Sequence, residues 1–292
     1  MNKYKYSDLL QYKEKVKILF SSLGVNYSSE CRINKYFQYL QLIDSNRSLN
    51  KEEFDKIIKK DKVKFYYCQY YVLEICRIID SIDNNFDKNI LKEKLTDITK
   101  GSYLLSEENE NNTIARDTTF ELSLFAFFKK KGFEPSIYDT NPDLKLKTDN
   151  FIYNIECKRP VSNNSLEKNI KKAFKQLNKK NKKNIIPTIA LSLEHILLGN
   201  ELILHSRDEH SALEFLDKLL LNFSLNNKKM LSKICGNTPC LVLYYLSCLS
   251  GFSNKDLPMA NATYIVGNVF NFQKDLSEKI YSDLSRLGTS EK

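Results

Sequence analysis

Residues 141–160 read Asn-Pro-Asp-Leu-Lys-Leu-Lys-Thr-Asp-Asn-Phe-Ile-Tyr-Asn-Ile-Glu-Cys-Lys-Arg-Pro. The pattern is that of a tight β-hairpin. Leu144, Leu146, Ile152, Tyr153 and Ile155 supply strand-forming side chains, and Asp149-Asn150 suits a two-residue turn. With those two residues as the loop, Thr148 pairs with Phe151, and counting outward sets Asp143 opposite Glu156. Directly opposed residues have Cβ atoms about 4.5–5.5 Å apart and share a face. Lys158 points the same way as Glu156, because a strand repeats every two residues. Three ionisable groups are therefore expected to meet at one end of the hairpin. Two carboxylates that close repel each other unless a cation or a proton lies between them.

Upstream of the hairpin, Ala115 to Lys131 predicts a strong helix ended by Gly132. From Thr118 to Phe128 every residue but Glu121 is apolar or small and polar. At 100° per residue, Leu124, Phe125 and Phe128 fall within about 60° of Glu121, and Thr119, Ser123 and Lys130 fall opposite. Glu121 is thus expected in the middle of the apolar arc, with Asp117 one turn earlier. A buried carboxylate needs a cation, a hydrogen-bonding partner or a proton. A structural salt bridge and a functional site both meet that need. Glu134 to Asp139 predicts a strand leading into the hairpin.

Downstream, Pro160 stops the hairpin, and Ser165 is placed to cap a helix running to Asn181. Its apolar stripe is Leu166, Ile170, Ala173, Phe174 and Leu177, with Gln176 at the border. Lys168, Lys171, Lys172, Lys175, Lys179 and Lys183 gather on the other face. Between Ser165 and Lys183 there are eight lysines against one acid, Glu167. A basic face is often only a solvated face, but one that follows an acidic hairpin suits phosphate contact. Ile185–Leu193 and Pro239–Leu249 are apolar runs between breakers and predict buried strands. Ser211–Phe223 and Lys228–Ile234 predict two helices, Ala262–Phe270 a last strand, and Asn271–Leu287 a closing helix. This order implies a mixed sheet with helices on its faces.

Residues 1–105 predict helices throughout: Asp8 to Leu23, one starting at Ser28-Ser29-Glu30, a short one capped by Ser48 or Asn50, a densely apolar one from Val63 to Ile82, and one over Lys88–Thr99. Ser106 to Asn112 is the most polar stretch and the expected boundary. The expected organisation is a helical domain over 1–105, for recognition, partner binding or dimerisation, and a mixed-sheet domain over 113–292.

The 292 residues include 42% hydrophobic side chains, 17 Phe and 17 Tyr, enough for a substantial core. No apolar run approaches the roughly 18 residues of a membrane span, and the N-terminus has no apolar signal core. The expected location is therefore cytoplasmic, with no membrane partner. Seven scattered cysteines without a C-x-x-C pair read as buried reduced thiols. His195, His205 and His210 form no zinc signature. The net charge of +9 suggests an acidic partner such as nucleic acid. The excess is spread along the chain, however: 19 basic and 14 acidic residues in 1–100, 26 and 22 in the rest.

Glu121 in Phe-Glu-Leu-Ser-Leu, Pro142-Asp143, the triplet Glu156-Cys157-Lys158, and Gln176 in Ala-Phe-Lys-Gln-Leu, in this order, resemble the PD-(D/E)XK phosphodiesterase superfamily, which has the restriction-endonuclease-like fold. The resemblance covers roughly 115–189. It implies an α/β (α+β) core and a metal-dependent nuclease that hydrolyses DNA phosphodiester bonds, with roles known for the family in restriction, phage defence and repair. Glu121, Asp143 and Glu156 would hold Mg²⁺ or Mn²⁺. Lys158 would stand beside the scissile phosphate, and Gln176 would complete the catalytic set. Lys168, Lys171, Lys172, Lys175 and Lys179 would track the nucleic-acid backbone. A homodimer or a partner protein would use the N-terminal helices. Two other possibilities stay open in sequence: a nucleic-acid-binding or assembly module with an inactive or autoinhibited nuclease fold, and an RNA-directed nuclease.

Overall fold

The computed structural model of the protein describes residues 6–46, 48, 50–59, 62–83, 86–108, 112–177, 184–199, 202–206, 208–252 and 260–287. Along the chain run α1 (Tyr6–Ser22), α2 (Arg32–Ser45), α3 (Lys51–Lys59), α4 (Lys62–Ser81), α5 (Lys88–Thr99), α6 (Ile114–Lys130), β1 (Glu134–Ile137), β2 (Leu144–Lys147), β3 (Ile152–Lys158) and α7 (Asn163–Leu177). There follow β4 (Ile185–Ser192), α8 (Glu194–Leu197), β5 (Ile203–Ser206), α9 (Glu209–Cys235), β6 (Cys240–Phe252), β7 (Ala260–Phe270) and α10 (Lys274–Asp283). The fold is α/β, with a mixed sheet in the order β1-β2-β3-β4-β6-β5 and β7 paired to β6. Among the described residues no helix is long and apolar enough to cross a membrane. All seven cysteines are buried, and no disulfide joins any two of them.

Packing divides the chain into two units. The first comprises Met1–Thr119, Leu198–Ala212 and Ser247–Ala262; the second comprises Phe120–Leu197, Leu213–Leu246 and Thr263–Lys292.

In the first unit α4 packs against α1, α2 and α3. Tyr67, Cys68, Tyr70, Tyr71, Val72, Leu73, Ile75, Cys76 and Ile78 of α4 are all buried, as a helix that is apolar on most sides requires. Gly24, at φ 65, ends α1 in a conformation that costs glycine nothing. Asn50 caps α3 by accepting from the Glu53 N–H, and Asp87 caps α5 by accepting from Asn89 and Ile90. The second helix starts at Arg32 and not at Ser28. The Ser28 carbonyl instead accepts from the Cys31 N–H and the Asn34 side chain, making a turn before the helix. Two arginines lie inside this unit. Arg116, only 2% exposed, donates to Tyr71 Oη (3.1 Å), Ser102 Oγ (3.1 Å) and the carbonyls of Ser102 and Tyr103 (both 3.2 Å), and pairs with Glu108 at 3.5 Å. Arg32 donates through Nη2 to the Ile98 carbonyl and Thr119 Oγ1, each at 3.1 Å.

In the second unit β1, β2 and β3 form an antiparallel meander, β3 pairs parallel with β4, and β4 pairs parallel with β6. Helix α7 makes the crossover from β3 to β4 and packs on both. Phe120 and Phe127 of α6 contact Tyr245 of β6, and Phe223 of α9 contacts Tyr244. Gly132, at φ 76, ends α6, with the Phe133 N–H reaching the Phe128 carbonyl at 3.0 Å. Pro187 sits where β4 pairs only with β3; pairing with β6 begins at Thr188. A proline is tolerated there because it cannot complete a ladder on both sides.

The hairpin has the predicted register: Leu144↔Ile155, Lys145↔Asn154, Leu146↔Tyr153 and Lys147↔Ile152, with the Thr148 N–H donating to the Phe151 carbonyl at 2.9 Å.

Elsewhere the structure departs from the expectations. The two predicted helices between Ser211 and Ile234 are one, α9. Ser224 is buried inside it and accepts from Asn268, and Asn227 donates back to the Phe223 carbonyl, so the polar residues are absorbed without a break. Ser162, not Ser165, caps α7: its Oγ accepts from the Ser165 N–H at 3.2 Å, and Ser165 Oγ accepts from the Ser162 N–H at 3.1 Å. α6 is buried nearly all round. Thr119 and Ser123, expected on the outer side, are each 4% exposed, while Glu121 is only half-buried. α8 and β5, each four residues long, had no separate signal in the sequence.

Candidate active site

The hairpin register carries Asp143 to a position opposite Glu156, one step beyond the last paired residue of β2. There the ladder stops, and the Cys157 N–H would lose its partner. The Asp143 carboxylate takes that place: Oδ2 accepts from the Cys157 N–H at 2.7 Å. This bond fixes Asp143 against β3 and leaves its second oxygen for other work.

Glu156 is 1% exposed. β3 lies between β2 and β4, and its consecutive residues 153–157 are all buried, so both of its faces are covered. Lys158 Nζ donates to Glu156 Oε1 at 2.8 Å. Glu156 Oε2 is buried without a hydrogen-bond partner. Burial and then the Asp143 charge push the Glu156 carboxyl above its ordinary value, against the pull of Lys158 and Lys172. Burial acts to lower the Lys158 ammonium, but Glu156 and Asp143 outweigh it, and its pKa lies above the ordinary one. Lys158 is therefore firmly cationic at neutral pH.

Gln176 of α7 donates through Nε2 to Asn141 Oδ1 at 2.9 Å, and its Oε1 is buried without a partner. The amide thus binds the segment that delivers Asp143. Glu121 stands near enough to act on the same strand: burial, Asp143 and Glu121, in that order, push the Cys157 thiol up. Asp143, Glu156 and Lys158 are thus linked by a direct bond or by charge, Gln176 is joined to the segment before Asp143 through Asn141, and the charge of Glu121 is felt at Cys157. Lys168, Lys171, Lys172 and Lys175 are exposed on α7, with Lys171 paired to Glu167 at 2.6 Å. Lys179 and Lys183 lie outside the described residues.

One residue of this region was not singled out from sequence. Asn154 is 7% exposed, and its Oδ1 is buried without a partner. Its place two residues before Glu156 on an alternating strand was the available signal.

Among the described residues no three His, Cys, Asp or Glu side chains form a metal cage. The acid pair nevertheless fits a hard divalent ion. Mg²⁺ binds through one or two carboxylates and keeps several waters. Asp143 and Glu156 offer that ligand set, and Glu156 Oε2 is a buried oxygen without a hydrogen-bond partner, the Lys158 bond being made to Oε1. A scan against protein-family models and searches of curated proteins and of solved structures each returned no match.

Proposed function

We propose that this protein is a divalent-metal-dependent nuclease that hydrolyses DNA phosphodiester bonds. The observation that carries this reading is the buried Asp143–Glu156 acid pair with Lys158 bonded to it. Asp143 and Glu156 would hold Mg²⁺ or Mn²⁺. Such an ion supplies charge neutralisation at the phosphate and a water of lowered pKa. Lys158, held protonated by its acidic neighbours, places a fixed positive charge where negative charge develops on the phosphate oxygens. Its raised pKa favours that electrostatic role over service as a general base. The Gln176–Asn141 bond holds the start of the hairpin. The exposed lysines of α7 support backbone contact, which is independent of sequence.

The test is incubation of purified protein with supercoiled plasmid, single-stranded DNA and RNA in Mg²⁺ or Mn²⁺. Wild type should cleave DNA, and Asp143→Ala, Glu156→Ala and Lys158→Ala should each lose about 10²-fold or more. Equal degradation by wild type and variants would refute the assignment. Cleavage confined to RNA would move the activity to that substrate.

A further inference from the structure

The orphaned polar atoms on β3 and α7 are of one kind. Among the described residues they are Asn154 Oδ1, Glu156 Oε2 and Gln176 Oε1. Each is an oxygen that accepts hydrogen bonds and donates none. Asn154, Glu156 and Lys158 share a face of β3 by the strand period. That face looks toward α7: the helix packs on β3, and the charge of Lys172 on α7 is felt at Glu156. The cross-strand neighbours of Asn154 are Lys145 and Pro187. Lys145 reaches away to lie over the Tyr138 ring at 4.2 Å, and Pro187 has no N–H to offer.

An asparagine in this position makes no sense for packing alone. An apolar side chain of similar size would spare the fold a desolvated, unbonded oxygen. Acceptors without donors suit a ligand that donates, and a hydrated cation does so, because its waters turn their hydrogens outward. An anion would need the opposite set.

We propose that Asn154 belongs to the cation site beside Glu156, where its Oδ1 accepts from the hydration shell of the divalent ion. This rests on the metal-site reading above. It adds a neutral oxygen to a site otherwise made of carboxylates and positions the ion's waters on the α7 side of Glu156.

The experiment is calorimetric titration of Mn²⁺ into wild type, Asn154→Leu and Asn154→Asp, with melting of each protein in the absence of metal. Leucine should weaken Mn²⁺ binding about 10-fold or more, as losses in the outer shell of metal sites do. Without metal the same variant should melt at or above the wild-type temperature, because a buried unbonded oxygen has gone. Aspartate, which keeps the acceptor and adds charge, should bind Mn²⁺ at least as tightly as wild type. If Asn154→Leu binds Mn²⁺ like wild type, Asn154 is not part of the site, while the Asp143–Glu156 reading stands. If the leucine variant melts lower without metal, Asn154 is a packing residue and the proposal falls. If wild type itself binds no Mn²⁺, the metal-site reading fails first and this inference with it.

Discussion

Two of the protein's buried charges, Arg116 and Glu156, are treated in opposite ways. In the first unit the Arg116 guanidinium is answered on every side: a phenol, a serine hydroxyl, two backbone carbonyls and Glu108 all meet it. Tyr67 and Tyr71 lie against it at 5.6 and 5.4 Å, adding cation–π attraction. In the second unit Glu156 has one bond, to Lys158, a like charge nearby and an oxygen that nothing meets. The first arrangement is closed and holds the fold together. The second leaves a buried oxygen unmet, which costs the fold stability and, on the proposed reading, is met by a cation. Buried charge alone does not tell the two kinds of centre apart; the remaining unmet demand does.

The sharpest way to break this contrast is to neutralise each centre. Arg116→Ala should destabilise the protein by about 3–5 kcal/mol, because it leaves Glu108 and several carbonyls facing a void. Glu156→Gln in metal-free protein should cost far less. Glutamine still accepts from Lys158, and the repulsion with Asp143 is gone. Urea denaturation of both variants measures this, and equal losses would erase the distinction.

A smaller effect is expected on the basic helix. Replacing Lys168, Lys171, Lys172 and Lys175 together by Gln should weaken DNA binding and reduce the slope of log K against log salt by about 3–4, at roughly 0.9 per phosphate contact. An unchanged slope would show that these lysines form an ordinary solvated face.

The smallest effect concerns Lys158. Its folded pKa is raised, so the stability that protonated Lys158 contributes is present below the ordinary value of 10.5 for as long as Glu156 is ionised, and is lost on the alkaline side only as pH rises through the folded value. The pH–rate profile should therefore show no limb from Lys158 below about pH 10. A limb near neutrality that disappears in Lys158→Arg would assign Lys158 a free-amine role instead.

The hairpin was legible in the sequence because two local rules agreed, the two-residue turn at Asp149-Asn150 and the alternation of Leu144, Leu146, Tyr153 and Ile155. Together they fixed a register in which a single slip would have turned Glu156 to the other face. The start of α5 at Lys88 and the stop of α1 at Gly24 were legible for similar reasons, a capping Asp87 and a glycine free to take positive φ. Glu121 was misplaced because a helical wheel assumes one apolar arc, and α6 is covered on nearly every side. The continuity of α9 was hidden because Ser224 and Asn227 weaken a helix on their own, and only tertiary partners reveal why they do not end it. The strand period placed Asn154 on the face of Glu156, but pattern alone could not show that its oxygen goes unmet. An unmet oxygen is a property of what surrounds it.

The central claim is that Asp143 and Glu156 together hold a divalent cation. The most direct test is calorimetric titration of Mn²⁺ into wild type, Asp143→Asn and Glu156→Gln, each checked for intact folding by circular dichroism. Wild type should bind, and either substitution alone should abolish or severely weaken binding. Binding of undiminished strength in both variants, or none in folded wild type, would contradict it.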